Sequence, residues 1–152
     1  MEAVYNNGPW HITAEYQRTN VNRGAGFGPD LQFHGGYIHA AYFLTGEHMP
    51  FNRKTGTLGR IKPFENFFRV RRCDGKTGMG LGAWQVAARY SYADFNDQDI
   101  LGGDGSTFTA AMNWYWNPYT RMQFNYIWGD INRDPLGSGD FQIAGLRLMV
   151  DF

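Results

Sequence analysis

From Gln142 to the terminal Phe152 the chain alternates with a period of two. Phe152, Val150, Leu148, Leu146 and Ala144 fall on one side; Asp151, Met149, Arg147 and Gly145 fall on the other. Successive side chains of a strand point to opposite faces, so this stretch reads as a strand that is apolar on one face and charged on the other. A soluble domain seldom needs a last residue that is an aromatic on an apolar face. The strand of a membrane barrel does, because it meets lipid outside and water inside.

Three earlier segments repeat the pattern. In 83–95, Trp84, Val86, Ala88, Tyr90 and Tyr92 oppose Gln85, Ala87, Arg89 and Ser91. In 106–117, Phe108, Ala110, Met112, Trp114 and Trp116 oppose Thr107, Thr109, Ala111, Asn113, Tyr115 and Asn117. In 120–129, Met122, Phe124, Tyr126 and Trp128 alternate with Arg121, Gln123, Asn125 and Ile127. No residue on the four apolar faces is charged. A lysine or arginine at mid-bilayer costs about 2–4 kcal/mol, so this exclusion is what a bilayer imposes. Each segment has the length a tilted spanning strand needs, about 9–11 residues or slightly more.

Composition supports a wall rather than a soluble core. Aromatics make up 17 % and charged residues 18 %, and 20 of the 152 residues are glycine; the chain is aromatic-rich, glycine-rich and charge-poor. Mean hydropathy is −0.48, and no apolar run approaches the roughly 18 residues of a membrane helix. Low hydropathy is compatible with a barrel, since half of each strand faces water. Cys73 is the single cysteine, so no internal disulfide forms. The first residues, Met1 to Tyr5, lack the basic and apolar regions of a secretory leader. The expectation is that a leader was removed or that the chain is the C-terminal piece of something longer.

The pattern predicts about seven strands, at 1–6, 10–22, 31–45, 83–95, 106–117, 120–130 and 140–152. Tight turns are expected at Asn6-Asn7-Gly8-Pro9 and Asn117-Pro118-Tyr119, where proline presets φ. Long acidic loops are expected at 96–105 and 130–140, and a glycine-rich loop at 23–30. The phase of 31–45 is ambiguous at Gly35-Gly36, where a bulge would switch faces. If the C-terminus is periplasmic, Trp114, Tyr115, Trp116 and Tyr119 form the inner aromatic belt, and Trp128 and Tyr92 the outer. Seven strands leave two open edges, which lipid does not tolerate. The fold class expected is therefore all-β, an antiparallel transmembrane β-barrel of which this is a C-terminal part.

Net charge is zero but uneven. Between Thr45 and Leu81 stand eight basic residues, Arg53, Lys54, Arg60, Lys62, Arg69, Arg71, Arg72 and Lys76, against Glu47, Glu65 and Asp74. Strand parity puts this segment on the periplasmic side, with no strand or an even number inside it. It is far too long for a periplasmic turn. The expectation is that 46–82 folds into the lumen as a basic constriction that attracts anions.

With the strands placed, several stretches resemble the phosphate-selective porins O and P. They are Ala41-Tyr42-Phe43-Leu44-Thr45-Gly46-Glu47, Gly59-Arg60-Ile61-Lys62-Pro63, 82–91, Asn113-Trp114-Tyr115-Trp116-Asn117-Pro118 and 145–152. The resemblance implies a trimeric, 16-stranded outer-membrane channel for passive diffusion of anions such as phosphate. It also implies a closing strand read by the barrel-assembly machinery. Two departures stand out: family members often carry an acid where Gln85 stands, and much of the family's phosphate-binding constriction comes from an earlier half absent here. What carries over is a tendency toward anions, not selectivity for phosphate.

The best pore-lining candidates are Arg89, Arg121 and Arg147, whose planar forks suit phosphate oxygens. The competing reading pairs them with Glu15, Asp151 or loop acids as braces. Arg53, Arg60, Lys62, Arg69 and Arg71 join them as anion-attracting candidates, against the reading of a solvated connector. Asp130, Asn132 and Asp134 have the first spacings of a calcium loop, but Pro135 replaces its glycine and no glutamate closes it. Asp94, Asn96, Asp97, Asp99 and Asp104 read likewise as a solvated acidic loop. His11, His34, His39 and His48 lack ligand spacing, and Ser91, Ser106 and Ser138 sit in no nucleophile motif. Gly78-Met79-Gly80-Leu81-Gly82 precedes a strand rather than a helix, which excludes a nucleotide loop. Cys73 reads as an inert thiol. No enzyme, cofactor, metal or nucleic-acid partner is expected. The alternatives are a truncated, non-conducting product and a soluble or surface β-protein that binds a ligand, such as a sugar-binding sandwich. A sandwich would bury its Trp84, Trp114 and Phe124 faces.

Overall fold

The computed structural model describes residues 1–24, 26–71, 75–133 and 136–152. In chain order the strands are β1 (Glu2–Asn7), β2 (Trp10–Val21), β3 (Leu31–Phe43), β4 (Phe51–Asn52), β5 (Thr57–Leu58), β6 (Phe68–Arg71), β7 (Thr77–Gly80), β8 (Ala83–Asp97), β9 (Ile100–Asn117), β10 (Thr120–Arg133) and β11 (Gly137–Val150). Seven of them form one antiparallel sheet in the order β1-β2-β3-β8-β9-β10-β11. These are the seven segments the alternation marks. The remaining four form two short hairpins, β4-β5 and β6-β7, an even number inside the basic connector. The sheet is open among the described residues: β1 and β11 do not pair with each other.

Register turns the alternation of single strands into rows. One row crosses the sheet as Trp10, Tyr42, Val86, Met112, Phe124 and Leu146, and the next as Ile12, Ala40, Ala88, Ala110, Tyr126 and Ala144. No charge falls on either. On the opposite face the rows read His11, Ala41, Ala87, Ala111, Asn125, Gly145, and Thr13, His39, Arg89, Thr109, Ile127, Ile143. From Trp116 to Ser106 the strand rises about 33 Å at roughly 3.3 Å per residue. A tilt of about 40° makes that about 25 Å along the membrane normal, the height of a barrel's apolar band. The apolar face is open: Phe124 is 42 % and Leu146 70 % exposed. A sandwich would cover that face with a second sheet; among the described residues the connector around Phe67 covers only its Trp114–Trp116 end and leaves the central rows open.

Three details depart from the sequence expectation. The stretches 96–105 and 130–140 are mostly strand rather than loop: β8 and β9 meet at a turn of Gln98 and Asp99, and β10 runs to Arg133 before β11 starts at Gly137. Beyond the apolar band either face accepts polar side chains, so the backbone ladder outlasts the alternation that marks it in sequence. Next, β3 runs through Gly35 and Gly36 with no register shift, so no bulge forms there. A Cβ at Gly36 would sit 2.7 Å from the Glu15 carbonyl oxygen; the glycine serves close approach of neighbouring backbones. Finally, Tyr115 belongs to the face opposite Trp114 and Trp116 and is only 6 % exposed. Period-two alternation removes it from the aromatic belt.

The tight turn between β9 and β10 is built by Asn117, whose Oδ1 accepts from the Tyr119 and Thr120 amides at 2.8 and 2.9 Å. That is an Asx turn, with Pro118 presetting the chain reversal. The buried cluster sits nearby on the polar face: Phe43, Ile61, Ala83 and Tyr115, with Met49 against it. Ile61 and Met49 come from the connector, so its first part lies against the polar face. Burying one such isoleucine contributes about 1.5–3 kcal/mol.

Candidate functional site

Strand β8 presents Arg89 on the polar face, directly opposite His39 of β3. Its guanidinium lies 3.8 Å from the centroid of the Tyr37 ring, and its Nε donates to Ser91 Oγ at 3.0 Å. The stack is a cation–π contact that orients the planar fork. Arg89 forms no ion pair with Glu15, which instead accepts a hydrogen bond from Gln17.

Arg121 of β10 is half-buried, with Nε and Nη2 both 3.2 Å from Met149 Sδ and its guanidinium 5.8 Å from the Tyr115 ring centroid. A thioether is a weak acceptor, so the charge of Arg121 is not neutralised there. Arg147 of β11 stands opposite Gln123, exposed. Asp151, the other brace considered for these arginines, is taken by Arg60: Nη2 to Oδ2 is 2.9 Å.

Between the arginines runs an amide ladder that sequence reasoning missed. Asn113 Nδ2 donates to Gln85 Oε1 at 2.8 Å, and Gln123 Nε2 donates to Asn113 Oδ1 at 3.0 Å. The Tyr115 hydroxyl reaches Gln85 Oε1 at 3.4 Å. Gln85 and Asn113 are 3 % and 8 % exposed. The available signal was register: the three residues are mutually opposite on consecutive strands.

The basic connector divides into two parts. Its first part is tied to the sheet through Glu47, which is 2 % exposed. Glu47 accepts from the Thr45 hydroxyl and from the Phe64 amide at 3.1 Å. Thr45 Oγ1 in turn accepts from the Trp84 amide at 3.0 Å. Arg60 stacks over Tyr119 at 4.6 Å while it pairs with Asp151. Between this part and the sheet lies a cavity of about 380 Å³ lined by Arg60, Arg121, Tyr115 and Met149, so a connector arginine and a wall arginine share one space. Lys62 and Arg60 line a second cavity with Glu47 and His48. Arg53 is exposed in the turn between β4 and β5.

The second part of the connector leaves the polar face. Phe67 packs on Trp114 and Trp116, with ring centroids 4.5 and 5.8 Å apart. The indole N–H groups of Trp84 and Trp114 both donate to the Leu81 carbonyl, at 3.2 and 2.8 Å. Arg69 and Arg71 on β6 are therefore held beside the tryptophan belt, apart from Arg89, Arg121 and Arg147. Arg72, Cys73, Asp74, Asp134 and Pro135, which figured in the sequence reading, lie outside the described residues.

At the far end of the sheet Arg23 ties the 22–30 connector to the β8–β9 turn. Its Nη1 is 2.7 Å from Asp99 Oδ1 and donates to the Phe27 carbonyl at 3.1 Å. Its amide donates to Asp30 Oδ1 at 2.8 Å. The hydrogen bond from Arg23 holds the Asp99 carboxyl below the ordinary aspartate range.

One face thus bears arginines with no carboxylate among the described residues against Arg89 or Arg121, and the other is apolar and uncharged across its central rows. The sequence model of the family described as phosphate-selective porin O and P matches residues 1–152. A Caulobacter vibrioides protein described as uncharacterized is 31 % identical over 159 aligned residues, which cover 100 % of this chain and 29 % of that relative. The chain thus spans less than a third of the length of the curated relative it matches.

Proposed function

The chain belongs to the phosphate-selective porin O and P family, and on that premise we propose that it forms part of the wall of a bacterial outer-membrane channel for passive diffusion of small anions. The observation that carries this reading is the two-sided sheet, with Leu146, Phe124 and Met112 open on one face and Arg89 and Arg121 without carboxylate partners among the described residues on the other. The apolar face meets lipid, and the polar face meets water in the lumen. Further strands complete the wall, since a lipid-exposed edge at β1 or β11 is not tolerated. The tight-turn end is periplasmic, the closing strand is the segment the assembly machinery reads, and the completed channel is a homotrimer. This is a passive conduit rather than an enzyme.

The first part of the 46–82 connector lies on the lumen side, and Arg53 and Lys62 add to the field of Arg89, Arg121 and Arg147 there, while Asp151 offsets the charge of Arg60. Arg69 and Arg71 contribute charge from the periplasmic mouth, beside the tryptophan belt. Positive charge along a pore wall raises the local anion concentration. Reversal potentials in planar lipid bilayers under a potassium chloride gradient test the reading. Anion preference supports it, and an Arg89→Gln, Arg121→Gln double variant is expected to reduce that preference. A cation-preferring pore overturns it; no pore from this chain alone favours a truncated, non-conducting product.

A further inference from the structure

We infer that the polar face carries a subsite for amphipathic carboxylates, with one carboxylate and an aryl or short alkyl body, built by Arg89, Thr109, Ile127 and Phe141. The inference names a solute class for the wall and rests on the channel reading above.

One row of the sheet carries the argument: His39, Arg89, Thr109, Ile127, Ile143. A water-facing row is expected to be polar throughout, yet its far half is two isoleucines, and Ile143 is 51 % exposed. Phe141 adds to this apolar patch from the next row, opposite Gly129. A Cβ on Gly129 would lie 2.2 Å from the Phe141 Cζ. The ring therefore lies flat over the glycine and presents a face rather than an edge to the lumen. A groove of about 670 Å³ joins Arg89 to Ile127 and Phe141, past Thr107, Thr109 and Asn125.

The cation at the other end is oriented. Tyr37 underlies the guanidinium and Ser91 takes its Nε–H, which leaves the two Nη groups to meet a ligand. Arginine pairs with a planar carboxylate through two parallel N–H bonds. A compact ion such as phosphate would meet one guanidinium and the neutral hydroxyls of Thr107 and Thr109 here, and would leave Ile127 and Phe141 uncovered. A carboxylate with an apolar body satisfies both ends. Strands β8 and β10 are two spacings apart, roughly 9.5 Å, about the whole length of a phenylpropenoate from its carboxylate oxygens to the far edge of its ring. This division into an apolar floor and few convergent polar groups is the usual composition of a small-molecule site.

The test is equilibrium binding to the purified protein in detergent micelles, by titration calorimetry with cinnamate, acetate and inorganic phosphate. Cinnamate is expected to bind roughly tenfold or more tighter than acetate, as burial of its apolar body requires. Ile127→Asn removes that advantage and leaves acetate unchanged, whereas Arg89→Gln weakens both. Should Ile127→Asn fail to fold, as judged by heat-modifiable gel mobility, Phe141→Ala makes the same measurement. Equal binding of cinnamate and acetate overturns the inference. So does a cinnamate advantage that survives the apolar variants, which marks partition into micelles. Chloride conductance without selective cinnamate binding overturns the subsite and leaves the channel standing. Cinnamate binding that depends on Arg89 and Ile127, in a protein that forms no pore, does the reverse.

Discussion

Arg60 reaches from the basic connector to Asp151 at the end of the closing strand, with Nη2 2.9 Å from Oδ2 and its guanidinium over the Tyr119 ring. Residues far apart in the chain are joined there, and the connector is held against the strand that ends the sheet. Both side chains are substantially exposed, so the pair contributes no more than about 1 kcal/mol to global stability. Asp151→Asn is accordingly expected to leave the unfolding midpoint nearly unchanged. It should raise amide hydrogen exchange in 47–62, because local opening needs only that contact to break. Unchanged exchange in that segment would show that Glu47 and Ile61 hold it without help.

The amide ladder gives a larger effect. Asn113→Ala removes the donor to Gln85 and the acceptor for Gln123, leaving Gln85, which is 3 % exposed, with only the 3.4 Å contact of the Tyr115 hydroxyl. The expected cost is about 1–3 kcal/mol, read from urea-induced unfolding in lipid vesicles. A cost near zero would mean that water replaces the lost partner.

The two faces of β11 and β10 should respond oppositely to the same charge. Leu146 lies near the middle of the apolar band, and Leu146→Arg is expected to destabilise the inserted protein by about 2–4 kcal/mol. Asn125→Arg, on the other face, should fold with nearly the parent yield. Folding into vesicles, followed by gel mobility, compares them. Equal tolerance of both variants would remove the lipid-facing assignment.

The Arg23–Asp99 pair predicts an acid threshold. Its hydrogen bond lowers the folded-state pKa of Asp99, so the contact is fully present above the ordinary aspartate value, about 3.9. It is lost as pH falls through the lower folded value. Pepsin cleavage at Phe27, which is 77 % exposed, should therefore rise only well into the acid range. In Arg23→Gln the rise should move to higher pH. An identical pH profile in parent and variant would show that the pair does not hold the 22–30 connector.

Much of the fold was legible because a strand writes its environment at a period of two. Lipid on one side excludes charge from every second residue, so the chain's own order exposes the faces of β8, β9, β10 and β11. The same rule places Tyr115 opposite Trp114. Where both sides of the sheet meet water the code stops, and the ends of β8, β9 and β10 read as loops although their ladders continue. Gly36 leaves the phase of its strand open in sequence and serves close backbone approach in the structure. A missing side chain does not say which neighbour comes near.

The sequence by itself determined the seven strands of the sheet, the two faces of β8, β9, β10 and β11, and the separation of basic from acidic charge, because each of these is local or periodic. Only the tertiary structure decided which charges are balanced. Arg60 is neutralised by Asp151 and Arg23 by Asp99, while Arg89 rests on Tyr37 and Arg121 on Met149. Those partners come from different strands and connectors, brought together by register and by the packing of Ile61 on the polar face. No spacing along the chain encodes such meetings. They arise when strands align to satisfy their backbone hydrogen bonds and apolar side chains leave water.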